Sequence, residues 1–312
     1  MKAAEITGYG DQTVMHTVDQ VAKPSADEGQ IIVEVYAAAV NPFDYKVREG
    51  LVRQMGELEF PAILGGDFSG IVAEIGAGVS GLEIGQAVYG QAGALSGHGS
   101  FAEFAPVKAS SAAAKPDSID FTTAAALPLV SVSAYQALVD HIELQAGQKV
   151  LIHGGAGGIG SLAIQLAKHL GAHVATTAAG KDTDFVKKLG ADEVIDYTQQ
   201  DFAALLQGYD AVYDTVGGET NTKSYTILKP GGHLVSMVEQ PNEDLVKQYD
   251  IQYTAQFTRV TTERLTKIAE LIDNGVLAAS IDKIFQLDQA AEALQYLHDG
   301  HPRGKVVIQI KK

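Results

Sequence analysis

Residues Lys149 to Leu170 read KVLIHGGAGGIGSLAIQLAKHL, and the order of features within them decides the fold. Val150, Leu151 and Ile152 form a short apolar run, and a glycine-rich turn follows. Ile159, Leu162, Ala163, Leu166, Ala167 and Leu170 then recur at the spacing of one buried helical face. Within the turn, Gly155-x-Gly157-x-x-Gly160 falls in register between strand and helix. Missing side chains let the backbone approach a pyrophosphate, and the helix N-terminus offers N–H groups and a favourable dipole. The stretch predicts the opening strand, turn and helix of a dinucleotide-binding unit. Gly155, Gly157, Gly158, Ile159 and Gly160 are its expected contacts with the cofactor.

Downstream of this stretch, strands alternate with helices. Strands are expected over 150–153, 173–177, 193–196, 211–214, 234–238 and 251–257, with helices starting near Gly158, Asp182, Thr198 and Thr220. Right-handed crossovers would make a six-stranded doubly wound parallel sheet, an α/β Rossmann fold. Upstream, short strands over 2–6, 30–36, 71–75, 87–89 and 101–107 are separated by glycine-bearing loops, which suggests a small, partly closed barrel. Pro42 excludes Asn41 from the helical region, so Asn41 sits in a turn with its amide projecting, ahead of a short helix over 43–48 closed by Gly50. Character changes near Asp120, with helices expected over 121–127 and 132–140. After the sheet, a helix over 262–274, a strand over 281–287, a helix over 289–297 and a last strand over 305–310 return to the β-rich part. The expected domains are therefore 1–122 with 263–312, and 123–262.

Composition narrows the function classes. With 312 residues, two domains are the default. The sequence has no cysteine, which excludes disulfides and thiolate zinc sites; the nine histidines are scattered along the chain, so no metal site is expected. His153 reads as a neutral packing residue and His98 as an exposed one. A formal charge of −15 argues against nucleic-acid binding and leaves the cofactor phosphates to a few local donors. No apolar run has the length of a membrane span, and the first residues resemble neither a secretory signal nor a transit peptide. A cytoplasmic protein is expected.

Four segments, Ala38–Gly50 (AAVNPFDYKVREG), Leu64–Gly76 (LGGDFSGIVAEIG), Ala125–Leu138 (AALPLVSVSAYQAL) and Val150–Ala172, together with Arg303-Gly304-Lys305-Val306-Val307, resemble the zinc-independent quinone oxidoreductase (zeta-crystallin-like) branch of the medium-chain dehydrogenase/reductase superfamily. The likeness runs through the whole chain in order. It implies a GroES-like substrate domain, a Rossmann domain, an active cleft between them and a homodimer joined through the Rossmann sheets. Zinc alcohol dehydrogenases of the superfamily place a Cys where Asn41 stands and a His-Glu pair where Gly66-Asp67 stand. Without that Lewis acid, the reaction should suit an acceptor already activated by conjugation, a quinone or an α,β-unsaturated carbonyl. The alternatives are an enoyl-thioester reductase and a non-catalytic NADPH-binding sensor or crystallin-like protein.

NAD-binding members need an acidic residue at the end of the second strand to hold the ribose 2′-hydroxyl. Here Thr176-Thr177-Ala178-Ala179-Gly180-Lys181 offers hydroxyls and a cation instead, which favours NADPH, with Thr177 and Lys181 as contacts. Lys181 also reads as a solvated lysine at a helix start, and Asp182 as an N-cap or first-turn residue. By the resemblance, Tyr197 lies against the adenosine phosphate and Ser133 binds the nicotinamide carboxamide, although Ser133 reads equally as an ordinary helix-face serine. Val216, Gly217 and Val238 lie at the carboxyl edge of the sheet. Arg303 and Lys305 reach the cofactor phosphate or the substrate mouth, or merely flank a terminal strand. By the same resemblance, Asn41 faces the nicotinamide and the substrate oxygen and donates to a developing oxyanion; it also reads as an ordinary turn-forming Asn-Pro. Asp44 orients its loop more than it moves protons, and Tyr45 and Lys46 are the nearby acid-type groups, each of which reads more readily as a surface side chain. Several quinone reductases carry aromatics at the positions of Lys46 and Val52; their replacement puts a flat stacking site in doubt and leaves enones or enals more open. Asp67 is expected to partner a loop amide or a lysine.

Overall fold

The computed structural model describes residues 1–93 and 95–311 and divides into two compact units. One comprises 1–129, 260–274 and 279–312, and the other comprises 130–259 and 275–278.

The second unit is organised on the stretch Lys149–Leu170. Its six-stranded sheet runs Glu193–Asp196, His173–Ala178, Lys149–Ile152, Tyr209–Asp214, Leu228–Ser236, Gln252–Ala255, with every neighbouring pair parallel. The strand order reverses direction beside Lys149–Ile152, and the crevice at such a switch point lies at the carboxyl ends of the strands. Val150, Leu151 and Ile152 are fully buried, as a strand covered on both faces requires. The helix Gly158–His169 buries Leu162, Ala163, Leu166 and Ala167, the face read from the sequence. Two details differ from expectation. The helix expected near Thr198 shrinks to the single turn Phe202–Leu205, because Asp196 spends its carboxylate on an Asx turn with Thr198. A helix over Glu243–Tyr249 was not foreseen; Asn242 caps it through the Asp244 and Leu245 N–H groups.

In the first unit the strand Gln30–Val40 is the spine, and it runs four residues past the expected 30–36. It pairs antiparallel with Asp67–Ile75, Phe104–Lys108 and Lys305–Gln309 within a seven-stranded sheet. Ile31, Val33 and Val35 point into one apolar cluster and Ala38 and Val40 into another, while Ala37 and Ala39 meet Val307 in a third. A register shift between Val35 and Ala37 separates these regimes. A strand with apolar neighbours on both sides is held firmly along its length, and Asn41 follows at its end. The helix Thr262–Asp273 packs on this unit, where Tyr89 donates a hydrogen bond to the Leu265 carbonyl. Among the described residues no helix is long and apolar enough to cross a membrane.

Candidate functional site

The glycine-rich turn lies where the strand Lys149–Ile152 gives way to the helix Gly158–His169. Gly154 has φ +69°, a left-handed value that side chains disfavour. A Cβ on Gly160 would lie 2.2 Å from the Gly154 carbonyl oxygen, so the helix could not start this close to the strand with any other residue there. A Cβ on Gly155 would collide with Thr176 Oγ1 at 2.1 Å. Gly157 occupies the N-cap with no side chain satisfying the first helical turn, which leaves those N–H groups to a ligand. Gly157, Gly158 and Ile159 are partly exposed there. The turn therefore fits a pyrophosphate.

A chain of hydroxyls and one imidazole braces this turn from below. Ser224 Oγ donates to the Thr220 carbonyl, so His153 Nε2 must carry the proton that bridges to Ser224 at 3.0 Å. Nδ1 is then the acceptor for the Thr177 hydroxyl at 3.1 Å, and Thr177 Oγ1 in turn receives the Gly154 N–H at 3.2 Å. Burial holds His153 well below its ordinary range, at about 4, so this neutral tautomer is kept at neutral pH, as the packing reading of His153 requires. Thr177 is buried and serves the loop through both its hydroxyl and its carbonyl, the latter accepting from Gly155 N–H.

Further along the same edge, Asp214 is fully buried with its carboxylate on four donors. These are the Val216 and Gly217 N–H groups, Asn221 Nδ2 and Ser236 Oγ, all within 2.9 Å. Ser236 Oγ also receives the Val238 and Glu239 N–H groups, and Glu239 accepts from Gly218 N–H. Two loops are thereby tied together, presenting Val216 and Val238, each about half exposed, beside Gly217 at φ +82°. Tyr197 and Lys181 are exposed at the ends of the next two strands. Asp182 is buried at the N-cap of the helix Thr183–Lys188. Ser133 is fully buried with its hydroxyl paired to Thr258 Oγ1 at 2.7 Å. One acidic neighbour was missed: Asp196, on the adjoining strand, lies beside Gly180 and accepts its N–H. Its sequence signal was the Asp-x-Thr turn that follows it. Its carboxylate is spent on Gly180, Thr198 and Gln199.

The β-rich unit gathers a second cluster. Asn41 ends the strand Gln30–Val40 with extended dihedrals, and Pro42 opens the helix Pro42–Arg48. Asp44 reaches back to the Asn41 N–H at 2.7 Å, as the third residue of a capping box does. The Asn41 carboxamide, 3% exposed, is turned inward. Its Nδ2 donates to Asp67 Oδ2 at 2.9 Å, and its Oδ1 accepts from Lys305 Nζ at 2.5 Å. Lys305 Nζ also donates to the Val40 carbonyl at 2.9 Å and lies 3.6 Å from Asp67 Oδ2. Asp67 Oδ1 receives the Leu129 N–H at 3.1 Å, so Asp67 has both the loop amide and the lysine expected of it. Burial raises the pKa of Asp67 and lowers that of Lys305, while each charge favours the other's ionised form. Asp44 is pushed up to about 7, chiefly by burial and further by Asp67, against the Asn41 and Gly66 N–H groups and Lys305.

This arrangement revises two expectations. Lys305 is not at a phosphate, because its strand buries both faces and its ammonium is consumed inside the unit. Tyr45 faces away from the carboxamide cluster and stacks edge-on to His298 at 5.0 Å, where burial raises its pKa. Arg303 is exposed, with its N–H donating to Asp282. Lys46 lies half-buried on the same helix as Tyr45. Among the described residues no group of three His, Asp or Glu side chains converges as a metal would require.

A parallel sheet with a pyrophosphate turn, in one chain with a β-rich unit that holds a buried carboxamide, defines a pyridine-nucleotide oxidoreductase. Residues 27–117 match the alcohol dehydrogenase GroES-like domain, and residues 189–308 match the zinc-binding dehydrogenase family. The chain is 37% identical to a 2-methylene-furan-3-one reductase of Solanum lycopersicum, over 99% of this chain and 79% of that one. It is 35% identical to a chloroplastic NADPH-dependent alkenal/one oxidoreductase of Arabidopsis thaliana, with the same coverage. A quinone oxidoreductase structure from Coxiella burnetii is similar with a TM-score of 0.92 and 36% identity, covering 100% of this chain and 99% of that one. The protein belongs to the zinc-independent quinone oxidoreductase branch of the medium-chain dehydrogenase/reductase superfamily.

Proposed function

We propose that this protein is an NADPH-dependent reductase of small conjugated carbonyl compounds, with enals and enones preferred over quinones. The observation that carries the reading is the Asn41 carboxamide, a neutral donor fixed inside the β-rich unit. A hydrogen bond of this kind stabilises an oxygen that gains charge during the reaction more than the uncharged carbonyl it starts from. The names of the two plant relatives support the same acceptor class.

Bound NADPH would supply the hydride, at the C4 position of its nicotinamide. The chain's own contribution is binding, alignment and charge stabilisation. The N–H groups of the first helical turn, Gly158 to Gly160, would hold the pyrophosphate, and Lys181 with Tyr197 favours the 2′-phosphate. Asp214, by clamping the 214–218 and 236–239 loops, keeps Val216 and Val238 as a fixed apolar rim. Asn41 Nδ2 donates to the enolate oxygen that forms as the β-carbon is reduced, and water or Lys46 delivers the proton that completes the saturated carbonyl. A homodimer and cytoplasmic residence belong to the same proposal. The strand Gln252–Ala255, which ends the parallel sheet among the described residues, supports pairing of two copies.

The test is NADPH and NADH oxidation by the purified protein with an enal, a cyclic enone, a benzoquinone and a naphthoquinone. NADPH-specific turnover, fastest with the enal or enone, is expected. Preference for a quinone would overturn the acceptor assignment, and equal use of NADH would overturn the cofactor assignment. Asn41→Ala should lower kcat while leaving the NADPH Kd nearly unchanged. Analytical ultracentrifugation decides the dimer, and fractionation of the source cell decides the location.

A further inference from the structure

Lys305 is a buried cation with no solvent role. Gly304, at φ +86°, lets the chain pass where a Cβ would lie 2.1 Å from the Ser280 carbonyl, and the Lys305 N–H then bonds that same carbonyl at 2.8 Å. This opens the strand Lys305–Gln309 with the lysine pointing inward, on the same side of the strand as buried Val307. An ammonium has three N–H groups. The Val40 carbonyl and Asn41 Oδ1 take two of them, and Asp67 lies in the remaining direction at 3.6 Å. Nothing is left for a phosphate.

The two ends of a carboxamide are nearly identical in shape, so only their partners decide which way it points. In Asn41 the oxygen faces an ammonium and the nitrogen faces a carboxylate. The flipped amide would turn its NH2 on Lys305 and its oxygen on Asp67, two repulsive contacts between buried groups. Asp67 takes one of the two Nδ2 hydrogens and leaves the other. A cation on the amide oxygen also draws electron density from the nitrogen, which makes the remaining N–H a stronger donor. Lys305 and Asp67 balance one another, so the carboxamide acts as a neutral group.

We propose that Lys305 is a positioning residue for the reduction: seated on Asn41 Oδ1, it fixes and polarises the carboxamide so that the second Nδ2–H meets the substrate oxygen that becomes negative. The proposal rests on the reading that Asn41 donates to that oxygen. It places in the protein's interior a positive charge that works through an amide rather than on the substrate directly.

The test compares wild type, Lys305→Met, Asp67→Asn and the double variant Lys305→Met/Asp67→Asn. Lys305→Met should lower kcat at least tenfold, short of the roughly hundredfold that follows complete loss of an oxyanion donor. The KM and Kd for NADPH should stay within about twofold, because no cofactor contact is removed. The double variant, which removes both charges of the Lys305–Asp67 pair, should regain most of the thermal stability that Lys305→Met loses, yet keep the low kcat. Recovery of kcat in the double variant would mean that Lys305 only neutralises Asp67, and a parallel loss of NADPH affinity would mean that it touches the cofactor. Either result overturns the proposal. The 1H–15N signals of the Asn41 side-chain amide, assigned through Asn41→Ala, give a readout independent of turnover. They should move in Lys305→Met, and unmoved signals would overturn the proposal even if the acceptor panel succeeds. If wild type turns over none of the acceptors, the functional reading fails, while the amide signals still decide whether Lys305 holds Asn41.

Discussion

Asp44 gives the most quantitative handle on the β-rich site. Its carboxyl is 2% exposed, fixed by the Asn41 and Gly66 N–H groups and close to Asp67, and its pKa rises to about 7. An unfolded chain returns it to 3.8. Between those values the folded protein keeps a proton that the unfolded chain releases, so stability falls as pH rises until the folded pKa is passed. The full slope is about 1.4 kcal/mol per pH unit. From pH 5 to pH 8 the loss from this one group is about 2–3 kcal/mol, because the slope flattens near pH 7.

Asp44→Asn keeps an oxygen for the Asn41 N–H and removes the charge. The stability of the variant relative to wild type should therefore rise by about 2–3 kcal/mol between pH 5 and pH 8. Urea denaturation followed by far-UV circular dichroism at four pH values across that range measures the difference; the chain has no tryptophan to follow. Contributions from groups that do not interact with Asp44 occur in both proteins and cancel. A wild-type-minus-variant difference that stays flat to within about 0.5 kcal/mol from pH 5 to pH 8 would refute the reasoning, since Asp44 would then keep one ionisation state throughout.

Three further substitutions probe the nucleotide unit. Gly160→Ala forces a methyl onto the Gly154 carbonyl, and should cost about 1–3 kcal/mol of stability and raise the NADPH Kd at least tenfold, measured by calorimetry. Thr177→Val deprives both His153 Nδ1 and the Gly154 N–H of their partner. It should lower stability by about 1–3 kcal/mol in thermal unfolding and weaken NADPH binding, whereas an unchanged melting temperature would rule out the hydroxyl chain as a brace. Lys181→Ala should raise the KM for NADPH about two- to fivefold, the effect of one exposed charge, with the KM for NADH unchanged.

Much of the nucleotide unit was legible because its signals are local. Strand, glycine spacing and apolar helical face sit within twenty-two consecutive residues, Lys149 to Leu170, and each is a direct expression of backbone sterics or of period. The departures arise where side chains compete with the backbone for hydrogen bonds. Asp196 closes an Asx turn where a helix was expected, and Asn242 starts a helix that apolar periodicity alone does not announce. The spine strand ran longer than 30–36 for a different reason. Ala37, Ala38 and Ala39 carry little strand propensity, and the neighbours on both faces decide their conformation.

The carboxamide cluster was less accessible, since its members lie 264 residues apart between Asn41 and Lys305. Two local signs were nonetheless present. Gly304 precedes a lysine that opens the run KVVIQI, and a lysine entering a strand with two apolar faces must find partners inside the protein or leave the strand. Asp67 likewise opens a strand, Asp67–Ile75, that is buried at its start. A buried cation and a buried anion that each begin a strand of one sheet satisfy their desolvation most cheaply by meeting. On that argument the pairing of Lys305 with Asp67 follows from burial alone. The third member does not, because an asparagine before proline is equally at home in an exposed turn. What places Asn41 in the cluster is the tertiary fact that Lys305–Gln309 and Asp67–Ile75 both pair with the strand Gln30–Val40, from opposite sides, so that their charged first residues flank its end.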